Sequence, residues 1–147
     1  MSLMLGRVSR RKHILILLIC LVLASCSRSK TVSRQELRSD LVAAVSLASE
    51  TELFIGQLLE GRATPAFARG HLDYLRQEAT RAADTLREAH AGEGMSGQLE
   101  SCRAQMAALA LLLAGLENRA EATDKLSDDR QQARRIRLVL EQENAQL

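Results

Sequence analysis

Apolar residues recur every three to four positions through most of this chain, and that period is the strongest constraint on its fold. Leu37, Leu41, Ala44, Ala48, Ile55 and Leu59 follow it. So do Ala68, Leu72, Leu75, Ala79, Ala82 and Leu86, and then Leu99, Cys102, Met106, Leu109, Leu113 and Leu116. At ~3.6 residues per turn each set lines one face of an α-helix, whereas a half-buried strand would need strict alternation. The breaks carry helix-end chemistry. Ser33-Arg34-Gln35-Glu36 matches a capping box, and Gly61 suits the residue just past a helix. Thr64-Pro65 reads as an N-cap followed by proline in the first turn. Ala91 to Gly97 holds three glycines in seven residues and reads as a flexible loop.

A fourth stripe, Leu126, Ala133, Ile136 and Leu140, would point about 165° away from the third if one straight helix carried both, at ~100° per residue. A break at Asn118, with Glu121 completing a new cap, removes the conflict. The third helix is apolar around most of its circumference from Ala107 to Leu116 and is expected to be the most buried. The fold class is therefore all-α: an antiparallel up-down-up-down bundle of four helices spanning 33–147, opened by a hairpin of the first two.

What precedes the bundle has a different character. Met1 to Lys12 is polar and basic, Ile14 to Leu23 is unbroken apolar sequence, and Ala24 and Ser25 are small. That three-part order is the pattern of a secretory signal. The uncharged stretch from Ile14 to Ser27 would reach only about 21 Å as a helix, short of the ~30 Å hydrocarbon core. A single-pass signal anchor is the alternative reading.

Leu23-Ala24-Ser25-Cys26 resembles the lipobox of bacterial lipoproteins: an aliphatic residue, two small ones, then cysteine. The resemblance covers only the first 26 residues. It implies cleavage after Ser25 and acylation of Cys26, giving a signal peptide at 1–25 and a lipidated tether at 26–32. Two or three acyl chains hold a protein stably at a bilayer, since each buried methylene contributes ~0.8 kcal/mol. Ser27, where aspartate would mark inner-membrane retention, resembles cargo sent to the outer membrane. The expected location is the cell envelope, facing the periplasm.

Composition narrows the function. Four of the 20 basic residues and none of the 18 acidic ones precede Cys26, so the chain from Cys26 onward is net −2. With two phenylalanines, one tyrosine and no tryptophan, it has neither the charge nor the stacking platforms expected of a nucleic-acid binder. Phosphate-cradling glycine loops, haem-attachment motifs and nucleophile elbows are missing, so no catalytic residue, cofactor or metal ligand is assigned beyond the covalent lipid on Cys26.

The candidate polar cluster is His71, Tyr74 and Glu78, which share one edge of the second helix. Histidine, tyrosine and carboxylate together can bind a metal or move a proton. The plainer reading is an edge histidine bonded across the hairpin to Glu52 or Arg62. His90 with Glu93 reads as solvated, and Cys102 as a buried apolar residue. Arg130, Arg134, Arg135 and Arg137 make the last helix locally basic, balanced by Asp128, Asp129 and Glu141. Gly56 and Gly70 fall on neither main stripe. The function these features suggest is a non-enzymatic envelope module that binds another envelope protein. The alternative is a bundle holding a small ligand or metal between alanine-rich helices.

Overall fold

The computed structural model describes residues 30–117 and 123–147. Among these, four α-helices carry almost all of the chain: α1 (Arg34–Leu59), α2 (Pro65–Glu88), α3 (Ser96–Glu117) and α4 (Thr123–Gln146). Two three-residue strands, β1 (Lys30–Val32) and β2 (Ala89–Ala91), flank the first two helices. The expected signal peptide and cleavage site, Cys26 and the cap expected at Asn118 lie outside the described residues. α3 ends at Glu117 and α4 starts at Thr123, on either side of the expected break.

Cross-helix bonds show the directions. Arg34 donates to the Leu147 carbonyl and Arg137 to Glu52, so α1 and α4 run antiparallel. Arg103 of α3 reaches the last carbonyl groups of α2, and His71 of α2 meets Glu50 of α1, so those pairs are antiparallel as well. α1 packs most intimately along α4 and α2 along α3, while the α1–α2 seam is much the looser. The expected hairpin is thus a pair of neighbours held open, and the tight pairings are made to the other two helices.

The four apolar stripes meet in one core. Leu41, Leu72, Leu113 and Leu140 are among its fully enclosed members, one from each helix. α1 and α3 are each long and apolar enough to cross a membrane, yet both supply core residues to the bundle. α3 is the most buried of the four helices, as expected, but it is not enclosed on every side. Its Leu111 is 75% exposed, because a helix in a four-membered ring always turns one side outward, whatever residues it carries there.

The ends form as their chemistry dictates. Ser33 Oγ accepts from the Glu36 N–H at 3.2 Å while the Glu36 carboxylate accepts from the Ser33 N–H at 2.9 Å. At the other end of α1, the Gly61 N–H bonds to Leu58 and the Arg62 N–H to Gln57, with Gly61 at φ +65°. This is a Schellman stop, and the left-handed residue it needs costs little only as glycine. Gly70 is the opposite case: an ordinary helix-interior residue with open space where a Cβ would go. Gly61→Ala is expected to destabilise by about 1 kcal/mol and Gly70→Ala to stabilise by about as much. Urea unfolding of the two variants checks the signs.

Two expectations about the connections are corrected. The tether was expected to run to Val32, but Lys30–Val32 pair in parallel with Ala89–Ala91, and Val32 is buried. The glycine-rich loop shrinks to a turn at 92–95, since Ala91 belongs to β2 and α3 has begun by Ser96. Gly94 takes φ +76°, and a Cβ on Gly92 would lie 2.9 Å from the Met95 methyl and 3.3 Å from the Val32 carbonyl. Gly92 therefore allows close packing against β1, while Gly94 supplies the left-handed turn residue; Met95 itself is buried beneath the turn.

Candidate functional site

The α1–α2 seam is where the sequence-predicted cluster lies, and it is assembled differently from the expectation. His71 projects from α2 toward α1 with its side chain about three-quarters buried, and its Nε2 lies 3.3 Å from Glu50 Oε1. Neither Glu52 nor Arg62 is its partner. Glu52 instead accepts from Arg137 on the far side of α1, and Arg62 pairs with Glu60 in the turn.

Aromatic rings enclose the imidazole. Phe67 stacks on it with centroids 5.5 Å apart and planes within 10°, and Tyr74 lies 5.9 Å away on the same helix. Phe54 meets it edge-on from α1 at 4.4 Å. Helical spacing explains the ladder, because positions 67, 71 and 74 fall in one row on α2. Every aromatic side chain of the protein is therefore gathered around one histidine. Phe67 and Tyr74 remain half exposed, whereas Phe54 is buried. Glu78 does not join His71; its carboxylate is held by Arg81 at 2.6 Å. The seam thus unites His71 with Tyr74 and adds Glu50 and Phe54, which sequence reasoning missed.

Beside this cluster the seam opens into a cleft of about 420 Å³, lined by residues of α1 and α2 with Met106 of α3 among them. Among the described residues no group of three or more histidine, cysteine or acidic side chains is placed to hold a metal ion. His90 and Glu93 are exposed at the β2 turn.

Cys102 lies fully inside the core, and burial, with smaller contributions from the charges of Asp40 and Glu143, pushes its thiol up to about 12. A raised thiol pKa favours the folded state only while the proton stays on. Stability is unaffected below the ordinary value near 9 and falls as pH rises from there toward 12, by ~1.4 kcal/mol per unit. Between pH 8 and pH 10.5 the wild type is expected to lose about 2 kcal/mol more than Cys102→Ala. Parallel urea titrations would read that difference directly, and identical losses would remove the cysteine from the account.

The basic residues of α4 are partly committed. Arg137 donates to Glu52 at 2.9 Å and to Glu141 at 2.6 Å, bonds that raise its pKa further and tie α4 to α1. An added Cβ on Gly56 would lie 3.4 Å from the Arg130 guanidinium carbon, so this buried glycine makes room for an arginine of α4. Arg134 and Arg135 are exposed. Comparison with known proteins finds no matching family model, no matching curated protein and no matching solved structure.

Proposed function

We propose that this chain is a lipid-anchored envelope protein, acylated at Cys26 after removal of residues 1–25, whose bundle works as a non-enzymatic binding module. The observation that carries the anchor is the sequence Leu23-Ala24-Ser25-Cys26 directly after an apolar run too short to span a bilayer. The binding role is supported by the half-exposed aromatic row on α2, since aromatic side chains dominate the energetics of protein contacts.

The anchor and the fold together orient the bundle on this reading. Cys26 precedes Lys30 by four residues, so β1 lies within about 14 Å of the acylated sulfur. The β1–β2 end then faces the bilayer. The turn at Gly61 stands off by the length of α1, about 39 Å for its 26 residues. Phe67 and His71, in the first two turns of α2, belong to that distal half and face a partner in the aqueous compartment.

Metabolic labelling with alkyne palmitate tests the reading. The native chain is expected to take up label and fractionate with membranes, while Cys26→Ser takes up none. Equal labelling of both would overturn the assignment. For the binding role, a photo-crosslinker replacing Phe67 should capture a discrete envelope protein, and one replacing Arg135 should not. Capture of nothing from either position counts against it.

A further inference from the structure

α1 carries two uncharged rows at coiled-coil spacing. Leu37, Leu41, Ala44, Ala48, Thr51 and Ile55 turn into the core. Ser39, Val42, Ser46, Ser49 and Leu53 form the other row, in steps of three, four, three and four residues. This row turns outward: Val42 is 51% exposed and Leu53 65%. It runs for about 21 Å of helix without a charge. The outward sides of the other helices do carry exposed charge: Asp84 and Arg87 on α2, Glu100 on α3, Arg134 and Arg135 on α4. The two serines at the centre of the row keep their protons within the helix. Ser46 Oγ donates to the Val42 carbonyl at 2.9 Å and Ser49 Oγ to the Val45 carbonyl at 2.8 Å, so covering them strands no donor.

The spacing fits a helix as the occupant, and the flanks indicate which one. In a coiled coil the charges beside the contact row choose the partner. Here the flanking positions are Ala43 and Val45, then Glu50 and Glu52, whose carboxylates face His71 and Arg137 within the bundle. Such flanks select no foreign helix, whereas an uncharged row meets a copy of itself without like-charge repulsion. We propose that α1 pairs along this row with α1 of a second copy of the chain, parallel and in register, so that each of the five residues meets its own counterpart. The parallel sense rests on the anchor proposed above, since both copies are then tethered at their β1 ends.

Disulfide crosslinking of the full chain in intact cells tests it, with alkyne palmitate on the same sample reading the anchor separately. Ser39→Cys and Ser46→Cys are each expected to give a linked dimer at about tenfold the yield of Arg135→Cys, which lies on the outward side of α4. Leu53→Lys removes the largest side chain of the row and sets two like charges against each other. Added to Ser39→Cys, it should lower the yield about tenfold while helical circular dichroism is retained, because Leu53 lies outside the core. A dimer from Ser46→Cys without one from Ser39→Cys means an antiparallel pair and overturns the proposal. So do yields no higher than that of Arg135→Cys, or a yield that survives Leu53→Lys. A palmitate-labelled chain with any of those results keeps its anchor and loses the interface. An unlabelled chain that crosslinks at both serine positions loses the anchor and keeps the interface.

Discussion

Replacing Arg103 by alanine is expected to destabilise the bundle by about 3 kcal/mol and to loosen one end of it selectively. Arg103 Nε donates to the Leu86 carbonyl at 2.7 Å, and the same guanidinium donates to the Ala89 carbonyl. The Leu86 carbonyl, which also accepts from the Ala89 N–H, lies where the helical ladder of α2 runs out, and the Ala89 carbonyl belongs to β2. One side chain of α3 therefore serves as the C-terminal cap of α2 and braces β2 against β1. Hydrogen bonds from a charged donor are worth ~1.5–3 kcal/mol each, and truncation removes both at once. Arg103→Lys keeps the charge but cannot reach both carbonyl groups from one planar fork, so it should lose about half as much. Hydrogen exchange locates the damage: the amides of β1, β2 and the last turn of α2 should speed up first, leaving the middle of α1 protected. Uniform acceleration across all helices would mean that Arg103 acts through general packing.

The second large effect separates two leucines of α3. Leu113 is fully enclosed, so Leu113→Ala should cost about 2–5 kcal/mol from lost burial and the cavity left behind. Leu111, two residues earlier, lies mostly in water, and Leu111→Gln should change stability by no more than ~0.5 kcal/mol. Urea unfolding of the two variants measures the contrast. Comparable losses at both positions would mean that the outward side of α3 is covered by something.

The same pair of residues shows where the sequence is legible and where it stops. Period alone marks Leu113 and its neighbours at three and four as core, because apolar spacing and helix geometry are one fact seen twice. It cannot mark Leu111 as exposed, since a stretch apolar on all sides gives no face to choose. The helix ends are legible for a similar reason. Ser33 with Glu36, Thr64 with Pro65, and Gly61 act on backbone groups within four residues of themselves, so no distant partner is needed to read them.

Long-range partners are another matter. Glu50 lies eleven residues before Gly61 and His71 ten after it; Phe54 lies seven before and Phe67 six after. Folding the hairpin about Gly61 pairs both sets, whereas pairing His71 with Glu52 shifts the register by two residues along α1 and misses Glu50. The parallel contact of β1 with β2 left no trace in the pattern, because three residues are too few to show alternation. Arg103 was equally silent: an arginine that caps a neighbouring helix looks, in sequence, like any solvated one.

The anchor is the claim on which orientation and location both depend, and the intact mass of the native product tests it most directly. Protein taken from its own membrane should lack residues 1–25 and weigh more than the remaining chain by a diacylglyceryl group, with or without an additional acyl chain. A product that retains the leader, or one that begins at Cys26 with a bare sulfhydryl, would contradict it.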